Sequence, residues 1–483
     1  YSPRSIFVMW NDSVMLNGAL TRRKLLKTTG CGFGALALSG LIGDAASGAL
    51  TPPIPAATPK AKRVIFLFMQ GGPSHVDSFD FKPDLERFDG QQVAFDDART
   101  IANTGKRGTT QRVMKSPWSF RPYGECGHRV SDLFPHTAQC MDDIAVIRSC
   151  HGDMVVHSAA QYELFSGRTV PGFPSLGSWL VYGLGCETQS LPAYVVMPDP
   201  KGALEAGQPM YMPGFLPAVY QPTMFRPGDR PVLNLSLPSQ VEASQRRKTV
   251  DLIRQLNQAT VDPHDEEFHA RIQAYDVAFR MQAEAPEIFD LSRETRETLE
   301  LYGVGKEPTD DYGRRCLLAR KLVEQGVRFV CVVSGGGPGN MQWDAHGDVE
   351  ENHLRKAAET DQPVAALLKD LKARGLLDDT IVIWTTEFGR LPISEGIGEG
   401  GRDHNPEGFT SFMAGAGLKP GYSYGRTDEL GYKATEKPVT IYDFHATLLH
   451  LLGLDHTRLS WYHNGLQRRL TDVHGHVIRD VLA

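Results

Sequence analysis

The apolar run from Val64 to Met69 constrains the fold of this chain more than any other feature. It reads Val-Ile-Phe-Leu-Phe-Met and ends at the polar residue Gln70, which is followed by Gly71 and Gly72. A strand without polar alternation is expected to be buried on both faces, as in the centre of a parallel sheet covered by helices. We therefore predict that this segment is a central strand of an α/β domain.

Four further apolar segments are predicted strands, and helical patterns separate some of them. The strands are predicted at residues 144–148, 194–197, 327–333 and 380–385. The helices are predicted at residues 175–182, 282–301, 312–325, 354–374 and 442–452, and Pro363 is expected to kink or interrupt the fourth of them. Apolar strands that alternate with helices are typical of a doubly wound α/β sheet.

The first fifty residues have the layout of an export signal. Arg22 and Arg23 precede a short apolar run at residues 30–43 and a cluster of small residues at 45–49. This layout resembles the twin-arginine signal of bacterial proteins that are exported already folded. We expect a signal region at 1–49, a Pro/Ala-rich linker at 50–60 and a folded domain at 61–483, with a cap or insert at about 201–285. The expected location is the periplasm or another exported one, with the twin-arginine machinery as a partner.

Composition excludes several classes of protein. The 51 Lys and Arg residues and 57 Asp and Glu residues give a formal net charge of −6, which argues against a nucleic-acid partner. The apolar run of the signal region is short and rich in glycine, so we expect no retained transmembrane helix. Seven cysteines occur without a CxxC spacing, which excludes the common zinc and redox motifs.

Polar residues with metal-ligand chemistry follow several predicted strands. Ligands of open α/β sheets bind beyond the carboxyl ends of the strands, so these residues are expected to meet there. They are His75, Asp77, His151, His157, Ser158, Asp344, His346, Glu387, Arg390, Arg402, Asp403 and His404. Histidine and carboxylate ligands suit Zn²⁺, Mn²⁺ or Fe, whereas an all-oxygen shell suits Ca²⁺ or Mg²⁺.

Simpler roles stay open for most of these residues, and Asp403 with His404 is the pair least expected to be incidental. His75 and Asp77 could form a turn hydrogen bond, and Asp344 with His346 could form a surface turn. Glu387 and Arg390 could be an ion pair. The two histidines at 151 and 157 could cap a helix or lie in the core.

Four segments together resemble a known family. They are residues 68–80, with Gly71-Gly72-Pro73-Ser74-His75, and residues 343–347, 385–390 and 401–405. They are similar to the bacterial domain-of-unknown-function family 1501 (DUF1501), which looks like a sulfatase-like branch of the alkaline phosphatase superfamily. The resemblance implies a three-layer α/β/α sandwich with a mostly parallel central sheet and metals at the carboxyl ends of its strands. It also implies hydrolysis of sulfate or phosphate esters through a covalent Ser, Thr or formylglycine nucleophile.

The resemblance carries over to individual residues only in part. His404 matches the late histidine ligand, and Asp344 with His346 looks like the middle Asp/His pair. Glu387 stands at the first position of an Asp-His pair whose histidine is replaced by Phe388, and Gln70 stands where an aspartate ligand is usual. Residues 157–168 are similar to the sulfatase segment that carries the nucleophile. His157 takes the nucleophile position there, without the cysteine that formylglycine requires.

The sequence therefore predicts an exported metal-dependent hydrolase of small-molecule or glycan esters of sulfate or phosphate. The cofactor would be a divalent Zn, Mn, Fe or Ca ion. The expected metal ligands are His75, Asp77, Asp344, His346, Glu387 and His404. Ser158 or His157 would be the nucleophile or base; Arg168, Arg390 and Arg402 would bind the anionic group; and His151 and Asp403 would orient ligands. The alternative is a non-catalytic protein that binds a sulfated glycan or a partner protein, which the residues at positions 70 and 388 favour.

Overall fold

The fold is taken from a computed structural model of the chain. The structure describes residues 58–94, 110–228, 230–233, 235, 242–260, 266–284, 286–394 and 400–483. The expected signal region at 1–49 and most of the expected linker at 50–60 lie outside these residues. Within the described residues, no helix combines the length and the apolar composition that a membrane crossing requires.

A large mixed sheet forms the centre of the domain. Its strands within the described residues are β1 Arg63–Met69, β2 Ile144–His151, β3 Tyr194–Met197, β4 Thr223–Met224, β5 Phe329–Ser334, β6 Thr380–Thr385, β7 Phe409–Gly415, β8 Ser423–Tyr424 and β9 Val439–Thr440. The strand order is β8-β2-β7-β6-β1-β5-β3-β4, and β9 also pairs with β2. Only β7 runs against its neighbours β6 and β2; the other pairs are parallel.

Strand β1 lies between β6 and β5, as its apolar sequence predicts. Its residues pair in parallel on both sides, with Phe66 opposite Ile383 and also opposite Cys331. Alternate side chains enter two separate apolar cores. Ile65 and its i+2 neighbours face one core, and Phe66 and its i±2 neighbours face the other. The prediction of a doubly buried central strand is confirmed.

Helices cover both faces of this sheet. They are α1 Asp84–Arg87, α2 His157–Ser166, α3 Leu176–Leu184, α4 Ala243–Thr260, α5 Glu266–Glu284, α6 Pro286–Phe289, α7 Arg296–Tyr302, α8 Asp310–Glu324, α9 Val349–Ala373 and α10 Ile441–Leu451. Residues of α8 and α9 belong to one apolar core, and residues of α2, α3 and α10 belong to the other. The expected α/β/α sandwich with a mostly parallel sheet is therefore confirmed.

Short two-stranded antiparallel ribbons form within the loops. They pair Gln92–Ala94 with Thr110–Arg112, Phe120–Tyr123 with His128–Ser131, Gly389–Arg390 with His404–Asn405, Arg426–Thr427 with Ala434–Glu436, and Trp461–His463 with Leu466–Arg468. The third ribbon matters for function because it joins the segment after β6 to the segment that carries His404.

Two helix predictions need correction. The single helix expected at 282–301 is wrong, because the described chain there forms α6, a 3₁₀ turn at Leu291–Arg293 and α7. The Asp290 side chain accepts a hydrogen bond from Ser292 N and so caps the start of the 3₁₀ turn. The Thr295 side chain accepts one from Thr298 N and caps the start of α7. Helix α9 begins at Val349 rather than near 354, and it continues through Pro363 without interruption.

The region predicted as a cap or insert contains little of the central sheet. Between residues 201 and 285 the structure describes 3₁₀ turns at Gln208–Tyr211 and Ala218–Tyr220, the edge strand β4, and the helices α4 and α5. Whether this region covers a bound substrate stays a prediction.

Candidate metal centre

Loops at the carboxyl ends of the strands bring distant segments into contact. After β1, the carbonyl oxygen of Gln70 accepts a hydrogen bond from Trp343 N at 2.9 Å. Arg402 N donates to the carbonyl oxygen of Ala345 at 2.9 Å, and Arg390 pairs with His404 in the short ribbon. Helix α2 begins at His157, six residues after the end of β2. These contacts hold the loops that carry Asp344, His404 and Glu387 together.

Four nitrogen atoms surround one carboxylate oxygen, Asp344 Oδ1. The Nε2 atoms of His346, His404 and His157 lie at 2.9, 3.2 and 3.4 Å from it. Arg390 Nη2 lies at 2.5 Å. A carboxylate oxygen has about two lone pairs, so four donors cannot all hydrogen bond to it. The Nε2 atoms of His346 and His404 are also 2.9 Å apart, so at most one of the two can carry a proton between them.

The imidazole nitrogens and carboxylate oxygens gathered here can also act as ligands of a cation. Two groups of three side chains each place one ligand atom within 4.8 Å of the others: His157, Asp344 and His404, and His346, Asp403 and His404. His157 Nε2 is buried and has no hydrogen-bond partner, since its contact with Asp344 is electrostatic rather than a hydrogen bond. Three imidazoles and two carboxylates suit Zn²⁺, Mn²⁺ or Fe better than Ca²⁺. The residues present therefore fit a divalent ion held by His404 together with members of either group.

Glu387 lies behind His157 rather than in either ligand group of the described residues. Its Oε1 atom is 2.8 Å from His157 Nδ1 and also accepts a hydrogen bond from Gly71 N at 2.9 Å. Gln161 Nε2 donates to the same oxygen at 3.3 Å, and Thr386 Oγ1 donates to Oε2 at 3.0 Å. A carboxylate that holds Nδ1–H of a histidine directs its Nε2 atom toward the site.

The electrostatics of the cluster set the proton state of each ligand. Burial acts to raise the pKa of Asp344, but Arg390 and the surrounding histidines hold it well below its usual range. Burial lowers the pKa of His404 to about 3, so its imidazole is neutral at pH 7. Burial acts against protonation of His157, yet the contacts with the carboxylates of Asp344 and Glu387 raise its pKa to about 9. Cation binding would therefore displace a proton from His157.

Arg390 connects Asp344 to the backbone of the neighbouring loops. Its guanidinium is fully buried and donates to the carbonyl oxygens of Gly71, of Gly72 at 2.9 Å and of Arg402 at 3.1 Å, in addition to Asp344. The sequence predicts that this arginine binds the anionic group of a substrate. The structure places its donors against protein groups, so it fixes the Asp344 carboxylate relative to the loop after β1.

Asp77 and Arg402 form a separate buried pair. Arg402 Nε donates to Asp77 Oδ2 at 2.7 Å, and Nη2 donates to Oδ1 at 3.1 Å; both side chains are fully buried. Ser74 Oγ donates to Asp77 Oδ2 at 2.5 Å. His75 Nε2 is 2.7 Å from the carbonyl oxygen of Gly431. The structure thus places Asp77 and His75, two expected metal ligands, in contacts outside both ligand groups.

The remaining expected site residues take varied positions. Asp403 belongs to the second ligand group, and its Oδ1 accepts a hydrogen bond from His404 N at 2.8 Å. Ser158 is half-buried in the first turn of α2, directly after His157, and His151 is half-buried at the end of β2. Arg168 pairs with Asp472 at 2.8 Å, outside both ligand groups.

Three contacts of the centre are not predicted from the sequence. The Phe388 ring packs on the rings of His157 and His404, with centroids at 4.7 and 4.4 Å. The carbonyl oxygen of Val155 lies 2.7 Å from His404 Nδ1, which orients that ring. Gln161, which contacts Glu387, follows His157 by four residues, so helical spacing alone could have identified it.

The chain matches one protein family over most of its length. The profile of the family described as "Protein of unknown function (DUF1501)" matches residues 61–482. The chain therefore belongs to the DUF1501 family. No curated protein matches it.

Solved structures similar to this DUF1501 member are distant. The PsFucS1 sulfatase from Pseudoalteromonas sp. is 12% identical, with 89% of this chain and 72% of that chain covered and a TM-score of 0.33. The alkaline phosphatase from the Antarctic bacterium TAB5 is 14% identical, with 77% and 96% covered and a TM-score of 0.30. The lipoteichoic acid synthase LtaP from Listeria monocytogenes is 8% identical, with 90% and 80% covered and a TM-score of 0.32. Such low scores carry no functional assignment, so the chemistry is inferred from this chain's own residues.

Proposed function

We propose that this protein is a metal-dependent hydrolase of sulfate or phosphate esters, with small-molecule or glycan esters as substrates. The observation that carries the proposal is the convergence of three imidazoles and Arg390 on Asp344 Oδ1 from four separate segments. A bound Zn, Mn or Fe ion, which these ligands suit better than Ca, would supply charge neutralisation and a water of lowered pKa. The proposed ligands are His157, Asp344, His346, Asp403 and His404.

The chain's own groups would orient the metal ligands and transfer protons. Glu387 holds His157 at Nδ1, so that Nε2 faces Asp344 and the space shared by the ligands. His157 fits the role of a ligand or a base better than that of a covalent nucleophile, because carboxylates contact both of its nitrogens. Ser158 stays the candidate covalent nucleophile. In the described residues its hydroxyl has no hydrogen bond to a base, which favours water instead.

Metal content tests the ligand assignment directly. We expect one or two divalent ions per chain in protein purified without chelator, measured by elemental mass spectrometry. His404→Gln and Asp344→Asn should each lower that stoichiometry while circular dichroism stays unchanged. His450→Gln is the matched control, because this histidine lies in α10 outside both ligand groups. Equal metal content in all four proteins would refute the assignment.

Turnover tests the reaction. We expect hydrolysis of 4-nitrophenyl sulfate or 4-nitrophenyl phosphate that a chelator abolishes and added metal restores. Loss of turnover in Ser158→Ala with metal retained would identify Ser158 as the nucleophile. Full activity in that variant would assign the attack to water.

A non-catalytic role is the second candidate, and one observation favours it. Each arginine expected to bind the anionic group pairs with a carboxylate: Arg390 with Asp344, Arg402 with Asp77, and Arg168 with Asp472. A protein that holds metal but hydrolyses neither ester would support this candidate. Binding of a sulfated glycan or a partner protein would then be the function to measure.

Export to the periplasm is part of the proposal and rests on the sequence. The pair Arg22 and Arg23 precedes the apolar run in the order that a twin-arginine signal requires. We expect the wild-type protein in the periplasmic fraction and Arg22→Lys/Arg23→Lys in the cytoplasmic fraction. An unchanged distribution would exclude the twin-arginine route.

A further inference from the structure

A cavity lies on the carboxyl side of the sheet, away from the residues of the metal centre. Its volume is about 400 Å³, and it lies between the residues after β3 and β4 and the helix α8. None of the metal-centre residues lines it. Pockets of this size on the carboxyl side of an α/β sheet commonly hold small ligands.

One wall of this cavity is apolar. Met197 at the end of β3, Phe289 at the end of α6 and Leu318 of α8 are all buried and line it. The Phe289 ring is fixed from behind by Phe225, with ring centroids 5.4 Å apart. This wall therefore offers a rigid apolar surface on which a hydrocarbon body can pack.

The other wall carries arginines, of which two are engaged with neighbouring carboxylates. Arg315 donates to Asp311 Oδ2 from Nε at 2.8 Å and from Nη2 at 2.5 Å, and Arg314 donates to Asp310 at 2.8 Å. Arg226 differs, since within the described part of the chain no acidic side chain lies within 4.0 Å of its guanidinium. Among the described residues that line the cavity, it is the arginine without a carboxylate partner.

We propose that this cavity binds a small organic carboxylate with an apolar body. The carboxylate pairs with the guanidinium of Arg226, whose planar fork matches two carboxylate oxygens. The apolar body packs on Phe289 and Leu318. Of the two lining aspartates, Asp311 pairs with Arg315, and Asp290 Oδ1 accepts hydrogen bonds from Ser292 N at 3.0 Å and from Ser292 Oγ at 2.6 Å.

The probe that tests this is 3-phenylpropionate, with the neutral 3-phenylpropanamide as its isostere. Titration calorimetry on the full chain should show saturable binding of the acid, and binding of the amide weaker by at least about tenfold. Arg226→Gln should weaken binding of the acid by a similar factor. Arg458→Gln is the matched control, because this arginine is also exposed and does not line the cavity, and it should leave the affinity unchanged.

A further variant separates this site from the metal centre, where a carboxylate could also bind. His404→Gln should retain full affinity for 3-phenylpropionate. The proposal is overturned by equal affinity in Arg226→Gln and the wild type, by loss of binding in His404→Gln, or by the absence of saturation up to about 10 mM probe.

Discussion

Replacing Asp77 distinguishes a buried ion pair from a metal ligand. The sequence predicts Asp77 as a ligand, whereas the structure pairs both of its oxygens with Arg402 at 2.7 and 3.1 Å. Both side chains are fully buried. Burial acts to raise the pKa of Asp77, but Arg402 together with the hydrogen bond from Ser74 holds it below its usual range. Asp77→Ala would therefore leave the arginine charge buried without its partner.

The size of the effect follows from that burial. Removing one partner of a buried, hydrogen-bonded ion pair costs about 3–5 kcal/mol, because the remaining charge stays desolvated. Each 1.4 kcal/mol is a factor of ten. The folding equilibrium constant should then fall by at least about a hundredfold.

Chemical denaturation followed by circular dichroism measures this loss, together with metal content in the same preparations. The double variant Asp77→Ala/Arg402→Met should recover most of the stability, because it removes the unpaired charge as well. Arg402 also donates to backbone carbonyls of Met114 and Lys115, so full recovery is not expected. A loss below about 1 kcal/mol in Asp77→Ala, combined with reduced metal content, would refute the ion-pair reasoning and support the ligand role.

Three further predictions probe the core, the orienting carboxylate and the loop after β1. Burial lowers the pKa of His445 to about 4. Between about pH 6.5 and 4 the unfolded chain therefore binds a proton that the folded chain does not. As the pH is lowered through that window, the free energy of unfolding should fall by about 3 kcal/mol. His445→Gln, which keeps a donor to the carbonyl oxygen of Leu164, should flatten this dependence in denaturation at stepped pH, and an unchanged slope would contradict the assignment. Glu387→Gln should weaken metal affinity about 10- to 100-fold in competition with a chelator, because it alters the group that holds His157 Nδ1; unaltered affinity would show that the contact does not tune the ligand. Gly71→Ala should lower metal content and stability, because the φ of Gly71 is +108° and an added Cβ would lie 2.6 Å from Trp343 N. The control is Gly127→Ala, at a φ of +66° with no atom within 4 Å of the added Cβ, which should cost only about 1 kcal/mol. Equal effects of the two changes would contradict the steric argument.

The layers of the fold could be predicted because they depend on local patterns. The unbroken apolar run of β1 can be buried only on both faces, and the structure places it between two parallel neighbours. The prediction of one helix at 282–301 was wrong for an equally local reason. Asp290 and Thr295 are good N-cap residues, and their side chains compete with the helix by binding backbone N–H groups. Apolar periodicity alone does not reveal which of these interactions is stronger.

The candidate site was predictable in its residue types but not in its pairings. Asp77 and Asp344 both follow buried strands, and both have arginines available from the later loops. Which aspartate meets Arg402 and which meets the histidines depends on contacts between residues about 50 to 330 positions apart. No local pattern records that choice, because register between loops is set by packing of the whole domain.

Position 388 bears on whether the proposed ligand set is complete. The resemblance to the superfamily implies a histidine there, and Phe388 instead packs on His157 and His404. An apolar ring at that point cannot bind a cation, but it limits the directions in which the two imidazoles can turn. The position that the resemblance assigns to the nucleophile carries His157, and its Nε2 lies 3.4 Å from Asp344. If His157 supplies the missing nitrogen, then Phe388→His should leave metal content unchanged while restoring binding to His157→Ala. Failure of that double variant to recover metal would mean that the two positions are not interchangeable. Full metal content in His157→Ala alone would mean that His157 serves as a base rather than as a ligand.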